Sequence, residues 1–460
     1  MKHSSTRILS MILAVLMLTV MFAGCSPKQA AAPTASADAS APADTAAPAK
    51  DTAAKPVTIR FAHGWAASGD TAVGAEFISK FKDNHPEIDL VEEIVAGDEM
   101  ITKIKVDMAA NNLPDAWMYW GSMADVGDYM KAGVLADVDD YFAASAQTDR
   151  SDYPEAMFDS FRYNGKAYGI PTESYVGFWF CNKDLFDQYD LEIPETYEDL
   201  LACAEVFNAN GIIPLAMGSK GGNPSHFFMS ELAYQYAGCK DDFAALTNDY
   251  QLDSPDFRKV IELICEMRDR HVFPSDTMAN GDWGPSFALY NEGKAAMIYT
   301  MSWQLKALSP EIEEKTVQIN APRLPGGTVD PATFVSSNST YGLVINASSF
   351  ADPSKRDALV ALADLFTSDE WVAEMFYKTG TPNAKSVELD PSKAEVPILL
   401  DVLNSAEGKD KMSCHWLASA SGEAFYYMCD RLDELFAGAL DADTFIEKCQ
   451  AEYTLAKEEG

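Results

Sequence analysis

The sequence has few basic residues for its length. Its 460 residues include 35 Lys and Arg against 70 Asp and Glu, which gives a formal net charge of −35 at pH 7. A chain with this charge is repelled by nucleic acid and by anionic lipid headgroups. The charge therefore excludes nucleic acid as a partner, and it favours neutral or cationic small molecules over anionic ones as ligands.

Motifs that mark catalysis or metal binding are also absent. The chain has no P-loop, GxGxxG, GxSxG or HExxH sequence, and its six histidines never stand four residues apart. The acidic run from Asp137 to Asp140 lacks the glycine of a calcium loop. Carboxylates are plentiful enough for a glycosidase pair, but no position is singled out for one. The sequence predicts no catalytic residue, no metal site and no cofactor.

The cysteines show no CxxC spacing. Seven of the eight follow Cys25 and are widely scattered: Cys181, Cys203, Cys239, Cys265, Cys414, Cys429 and Cys449. A disulfide framework or a zinc site would show an even number or a close spacing. The pattern favours small, buried apolar side chains instead.

The first 25 residues predict secretion. Lys2 and Arg7 precede a largely apolar run from Ile8 to Phe22, which is too short for a membrane span and typical of a signal peptide. Ala and Gly then precede Cys25, and this ending resembles the bacterial lipobox, although Phe22 stands where that motif usually has Leu. We therefore expect a signal peptide at 1–24 and a lipidated Cys25; the alternative is ordinary cleavage beside an incidental cysteine.

A tether is predicted behind Cys25. Of residues 26–56, 24 are Ala, Pro, Ser or Thr, and none is aromatic or a large aliphatic. Such a segment cannot build a core, so residues 25–56 are expected to be a lipidated cysteine followed by a disordered spacer.

From Val57 onward, strand patterns alternate with helix patterns. Residues Val57–Ala62 alternate apolar and polar side chains, as a half-buried strand does. Further strands are predicted at 88–95, 116–120, 178–181, 212–217 and 296–301, and further helices at 197–210, 226–237 and 256–271. Thr196 is expected to cap the helix at 197–210, and Gly211 to end it. This alternation predicts an α/β fold with a largely parallel sheet, and the length allows two cores.

Four stretches of this folded part carry motifs in a fixed order. The first is Pro114-Asp115 with the apolar run to Trp120, followed by Gly133 to Asp137, and the second is Gly165 to Pro171, followed by Phe180 to Phe186 and Pro194 to Leu200. The third is Phe287 to Met297, followed by Trp303. The fourth is Pro322 to Gly327, followed by Tyr341 to Ile345 and Phe366 to Trp371. Together they resemble the family 1 extracellular solute-binding proteins of ABC importers, the family of maltose-binding protein. The similarity covers Val57 to Phe445, and Cys181 departs from the family's usual Tyr.

The resemblance implies a two-lobed, periplasmic-binding-protein-like fold of type II. Each lobe would be a mostly parallel sheet flanked by helices, with three crossings near 168–172, 317–321 and 379–383. The first lobe is then expected at 57–168 and 321–378, and the second at 172–318 and 383–460. A solute, most simply a sugar or oligosaccharide, would bind between the lobes and pass to the permease of an ABC importer. The resemblance thus implies a monomeric binding protein on the outer face of the bacterial membrane, and not an enzyme.

Residues for a sugar site follow from the positions of the cleft loops. Sugars present C–H faces and hydroxyl edges, so they need aromatic platforms and fixed polar side chains. The expected ligand-binding residues are Trp65, Tyr119, Trp120, Glu173, Tyr175, Asn223, Trp283, Trp303 and Trp416. Each of the aromatic residues could pack in a core instead, and Asn223 lies in a Gly-Gly-Asn-Pro sequence that also fits a turn. Trp179 and Trp371 are interpreted as core residues.

Two rival functions remain open at this point. The same fold could bind a polyamine, a phosphonate or an iron complex. An anion site would need a cluster of arginines or a glycine-rich helix start, and Arg60 and Arg323 form no such cluster. The second rival is a secreted carbohydrate-active enzyme.

Overall fold

The structure is a computed structural model that describes residues 55–65, 72–95, 97–237, 252–279, 281, 283–412 and 422–459. The predicted signal peptide, Cys25, Trp416 and nearly all of the tether lie outside these residues. None of the described helices has the length and apolar content of a membrane span.

The described strands belong mainly to one mixed sheet. They are β1 (Val57–His63), β2 (Ile88–Ile94), β3 (Ala116–Trp120), β4 (Arg162–Tyr163), β5 (Lys166–Ala167), β6 (Ile170–Asn182), β7 (Ile213–Ala216), β8 (Ala295–Met301), β9 (Thr316–Ile319), β10 (Phe334–Ile345) and β11 (Asp410–Met412). The sheet runs in the order β2-β1-β3-β10-β6-β8-β7, with β11 beside β10 and β9 beside β6, while β4 and β5 pair separately. The predicted α/β fold is confirmed.

Helices flank this sheet. They are α1 (Ala72–Asn84), α2 (Asp98–Ala109), α3 (Gly127–Lys131), α4 (Val138–Phe142), α5 (Lys183–Gln188), α6 (Tyr197–Ala209), α7 (Ser225–Ala237), α8 (Pro255–Asp269), α9 (Trp283–Asn291), α10 (Pro310–Glu313), α11 (Ala347–Ala351), α12 (Arg356–Thr367), α13 (Asp369–Thr379), α14 (Pro397–Ala406), α15 (Gly422–Phe436) and α16 (Ala442–Glu459). The helix α6 begins as predicted, because Thr196 accepts the Asp199 N–H in a capping box. Gly211, with φ of 75°, follows its end.

Separate apolar clusters define two lobes. In the first lobe, side chains of β1–β3 pack against α1, α12 and α13. In the second lobe, residues of β6 and β8 pack against α6, α7, α8, α15 and α16. Parallel pairs occur within the lobes, at β1–β2, β1–β3 and β7–β8. Antiparallel pairs occur where β6 and β10 run, so the sheet as a whole is mixed.

The strands β6 and β10 run from one lobe into the other. The first half of β6 pairs with β10 and its second half with β8. Beyond the return expected near 317–321, the side chains of Ala321, Leu324 and Phe334 pack in the second-lobe cluster. We therefore propose that the chain recrosses through β10. At the expected third crossing, the Ser174 N–H donates to the Pro382 carbonyl at 2.8 Å, which ties this segment to β6.

Glu231 is a buried carboxyl that joins α7 to both long strands. It accepts hydrogen bonds from Trp179 Nε1 at 2.9 Å and from Ser336 Oγ at 3.1 Å. Burial raises the pKa of the Glu231 carboxyl to about 7, although these hydrogen bonds oppose the shift. The folded protein therefore keeps this carboxyl protonated at pH values where the unfolded chain has ionised it.

This protonation makes stability depend on pH. Between the ordinary pKa of 4.5 and about 7, the unfolded chain binds fewer protons than the folded one, so the free energy of unfolding should fall as pH rises. In Glu231→Gln, which cannot titrate, this fall of the free energy of unfolding with pH should be shallower by up to about 1 kcal/mol per pH unit. Urea unfolding at pH 5, 6 and 7 measures the slope, with Glu262→Gln on the exposed face of α8 as the control. Equal slopes in wild type and Glu231→Gln would contradict the raised pKa.

Candidate functional site

A cavity of about 680 Å³ lies where the two lobes meet. Its lining comes from the ends of β1 and β3, from the middle of β6 and β10, and from second-lobe loops and helices. Six of the residues expected from the sequence line it: Trp65, Trp120, Glu173, Asn223, Trp283 and Trp303. Residues that are more than 200 positions apart in the chain are thus brought to one site.

The first-lobe wall of the cavity is aromatic. Trp65 packs on helix α1, where a Cβ on Gly74 would come within 2.4 Å of the indole ring, so only glycine lets the ring lie there. Trp371 supports Trp65 from behind at 5.2 Å between ring centroids. Further along the wall, Trp120 on β3 stands directly opposite Tyr341 on β10, with ring centroids 5.5 Å apart.

His63 fixes the backbone of Trp65. The Trp65 N–H donates to His63 Nδ1 at 3.2 Å, and His63 Nε2 lies 3.1 Å from Glu92 Oε2. Burial lowers the pKa of His63 below its ordinary value, although Glu92 opposes the shift. A neutral ring that accepts at Nδ1 must carry its proton on Nε2, so His63 donates to Glu92.

The second-lobe wall is a set of rings packed edge to face. Trp303 has ring centroids 5.8 Å from Trp283 and 5.9 Å from Phe227, at interplanar angles of 81° and 65°. Tyr175 lies 5.6 Å from Trp303 at 88° and is wholly buried. This packing holds the half-buried Trp303 ring in one orientation at the cavity surface.

The loop that carries Asn223 is held by a carboxylate of α15. The N–H groups of Gly221 and Gly222 donate to Asp433 at 2.9 and 3.3 Å. Gly222 has φ of 81°, and a Cβ there would stand 2.6 Å from Cys429 Sγ. The Gly-Gly-Asn-Pro sequence therefore forms a tight turn, which was one of the two interpretations of the sequence. This turn places Asn223 in the lining of the cavity.

The floor of the cavity lies where the interlobe segments converge. Glu173 on β6 is paired with Tyr341 on β10 and bridges to Asn383. Burial raises the pKa of the Glu173 carboxyl to about 7. Near neutral pH the floor therefore offers a carboxyl that is partly protonated and can both donate and accept hydrogen bonds. Thr379 and Thr381 also line the cavity and add hydroxyl groups to it.

Two of the expected residues that the structure describes, Tyr119 and Tyr175, do not line the cavity. Tyr119 is wholly buried on the other side of the sheet, with its ring 5.7 Å from that of Tyr129. Tyr175 is covered by Trp303 and supports it from behind. Trp416 lies outside the described residues, so its place stays a prediction.

Other residues of the lining were not expected from the sequence. They include Asp125, Phe227, Lys306, Tyr341, Phe425, Tyr426 and Asp430. Asp125 follows the end of β3 by five positions, and the rule that ligands lie at strand ends would have found it. Tyr426 and Asp430 lie on an amphipathic helix, and no local signal distinguishes them from other helix residues.

The chemistry of the lining suits a small solute with flat apolar faces and polar edges. Indole and phenol rings stand on both sides, and carboxyl, amide and hydroxyl groups stand at the floor and rim. Within the described ranges, no three His, Cys, Asp or Glu side chains lie close enough to hold a metal ion.

A family model and known proteins match this chain. The model for "Bacterial extracellular solute-binding protein" matches residues 66–373. An uncharacterized ABC transporter extracellular-binding protein of Pyrococcus horikoshii is 22% identical over 275 residues, or 58% of this chain and 60% of that protein. A probable sugar-binding periplasmic protein of Rhizobium meliloti is 26% identical over 263 residues, or 55% and 60%. The chain thus spans about 60% of the length of these curated relatives.

A solved structure of another protein has the same fold, and the match covers nearly the whole of that structure. It comes from work on xylan utilization by the thermophilic bacterium Caldanaerobius polysaccharolyticus. The TM-score is 0.74 at 25% sequence identity, and the match covers 86% of this chain and 99% of that one.

Proposed function

The chain belongs to the bacterial extracellular solute-binding protein family, and we propose that it captures a carbohydrate in the interlobe cavity and delivers it to the permease of an ABC importer. The observation that carries the proposal is the pair of aromatic walls facing one cavity. Indole rings stack on the C–H faces of sugars, while a few fixed polar groups set the orientation of the hydroxyls. The names of the two curated relatives, an ABC transporter binding protein and a sugar-binding protein, support the same function.

The six expected residues that line the cavity each have a role in this proposal. Trp303 and Trp120 are the platforms, because both rings are half-buried and reach the cavity from opposite lobes. Trp65 and Trp283, which are 6% and 8% exposed, offer ring edges that close the walls. Glu173 and Asn223 hydrogen-bond hydroxyl groups. In this proposal the protein is a monomer that carries the solute without changing it chemically, and no residue is assigned a catalytic role.

A calorimetric screen tests the ligand class. The purified protein is titrated with monosaccharides and with maltotriose, xylotriose and N,N′,N″-triacetylchitotriose. We expect at least one carbohydrate to bind with a dissociation constant in the micromolar range or below. Spermidine, methylphosphonate and ferric citrate form the comparison set, and tight binding of one of these in place of every sugar would overturn the carbohydrate assignment. Hydrolysis of a bound oligosaccharide, followed by chromatography, would instead support an enzyme.

Attachment to the membrane is a further part of the proposal. We propose that Cys25 carries the lipid anchor, since the apolar run ends in Ala-Gly-Cys and a spacer follows. Several acyl chains on one cysteine would give stable attachment. In the native host, Cys25→Ala should move the protein from the membrane fraction to the soluble fraction and abolish incorporation of labelled palmitate. A Ser26→Ala variant serves as the control. A Cys25→Ala protein that stays with the membrane would contradict the anchor.

A further inference from the structure

The loop between β3 and α3 touches the start of α15, and residues of both segments line the cavity. The Tyr426 hydroxyl donates to Asp125 Oδ1 at 2.5 Å. Next to this hydrogen bond, a Cβ on Gly422 would stand 2.6 Å from the Ala124 carbonyl oxygen, so the two backbones approach closely. Asp125 belongs to a first-lobe loop and Tyr426 to a second-lobe helix. Their hydrogen bond therefore joins the lobes directly, between two residues that both line the cavity.

Asp125 is held in position by its own loop. Ser122 Oγ donates to Asp125 Oδ2 at 2.6 Å, and the Asp125 N–H donates back to Ser122 Oγ at 3.1 Å. These bonds orient the carboxylate, so Oδ1 is presented toward α15 at little further cost in side-chain entropy. An ionised acceptor also makes the bond from Tyr426 stronger than one between neutral groups.

The ring of Tyr426 makes a second contact with the first lobe. Lys105 Nζ on α2 lies 5.7 Å from the ring centroid, within range of a cation–π interaction. The first lobe thus holds this one side chain at its hydroxyl and at its face. The neighbouring Tyr427 differs, because the Arg431 guanidinium of the same helix lies over its ring and it does not line the cavity.

We propose that Asp125 and Tyr426 form a latch that holds the lobes together over the cavity. They act as positioning residues, because they stabilise the arrangement in which both aromatic walls face the solute. The apparent dissociation constant of the solute equals the dissociation constant of the closed protein divided by the fraction of protein molecules that are closed. The latch therefore sets affinity and release rate by the same factor for every solute. This consequence for affinity rests on the proposed function; the effect on lobe closure does not.

The first test needs no ligand. Tyr426→Phe removes only the hydroxyl and keeps the ring beside Lys105, and Tyr427→Phe is the matched control on the same helix. Small-angle scattering of the purified protein should give a larger radius of gyration for Tyr426→Phe than for wild type or the control. Amide exchange at 122–126 and 422–426 should be about tenfold faster in the same variant. Identical scattering and exchange in all three proteins would overturn the latch.

The second test is a double-mutant cycle on affinity. Tyr426→Phe, Asp125→Ala and the double variant are titrated with maltotriose, xylotriose and N,N′,N″-triacetylchitotriose. A hydrogen bond to a charged group corresponds to about a 10- to 100-fold change in an equilibrium constant. We expect a loss of up to that size in each single variant, equal for every sugar that binds, with faster dissociation and little further loss in the double variant.

The remaining outcomes distinguish failure of the latch from failure of the proposed carbohydrate binding. Losses that multiply in the double variant, or that affect one sugar only, would mean that Asp125 and Tyr426 contact the solute independently and would overturn the latch. If none of the three sugars binds the wild-type protein, the hypothesis that these oligosaccharides are ligands is wrong. Scattering and exchange then decide the latch by themselves.

Discussion

Replacing Trp371 with alanine should lower the free energy of unfolding by about 3–5 kcal/mol, the range found when a large aromatic side chain is removed from a packed core. Trp371 has no exposed surface and contacts three rings edge to face. Its centroid lies 5.2 Å from Trp65, 5.2 Å from Phe77 and 5.0 Å from Phe366. Helix α13 would lose its anchor to α1 and α12, and the cavity left behind could not close without moving these rings.

Urea unfolding measures this loss directly. Val106→Ala is the control in the same lobe, since Val106 on α2 is 61% exposed and its truncation should change stability by less than about 0.5 kcal/mol. Trp371→Phe should fall between the two. A loss below about 1 kcal/mol in Trp371→Ala would contradict the packing described for the first lobe. Because Trp371 supports Trp65 from behind, the alanine variant should also bind sugars more weakly.

Replacing Trp303 with alanine should weaken carbohydrate binding by about 10- to 100-fold. Burying an indole face against a sugar ring contributes about 1.5–3 kcal/mol, and each 1.4 kcal/mol is a factor of ten in affinity. The rings of Tyr175, Phe227 and Trp283 fix the orientation of Trp303, so little side-chain entropy is lost on binding. Calorimetry with the tightest-binding sugar of the screen measures the change.

Stability must be measured on the same variant. Trp303 is half-buried, so its loss should cost less folding stability than the loss of Trp371. Trp303→Phe keeps an aromatic face and should bind with intermediate affinity. Unchanged affinity in Trp303→Ala would remove this residue from the site. A drop in stability as large as that of Trp371→Ala would make Trp303 a core residue.

Local sequence signals predicted much of the fold. The strand at Val57–His63 and the helix at Tyr197–Ala209 appear as expected, because alternation and capping are properties of neighbouring residues. The strand expected at 178–181 is instead the end of the 13-residue β6. Polar Thr172, Glu173 and Ser174 interrupt the apolar pattern there: Glu173 lines the cavity, and Ser174 Oγ donates to the Asn383 carbonyl. Pairing between distant strands decides such a case.

The site was predictable in part, for related reasons. Trp120 and Tyr119 are neighbours on β3, and successive side chains of a strand point to opposite faces. Only one of the two could reach the cavity, and which one depends on where β10 pairs. Tyr175 shares the face of Glu173, but Trp303 from a distant segment covers it. Tyr426 reaches Asp125 across 301 positions of sequence, so no local pattern could indicate the contact.

The paired strands β6 and β10 form a two-stranded antiparallel ribbon that connects the lobes. Its register is irregular on both sides of Tyr341, which is where such a ribbon bends most readily. If the lobes rotate about this ribbon, the floor with Glu173 and Tyr341, and Trp120 beside it, lies near the pivot and should move least, while Trp303 on the other lobe should move further. The part of a solute that rests on the floor would thus be selected by a fixed surface, before closure. The part between the walls would be selected afterwards, by thickness, because Asp125 and Tyr426 can meet only over a solute that fits between Trp303 and Trp120.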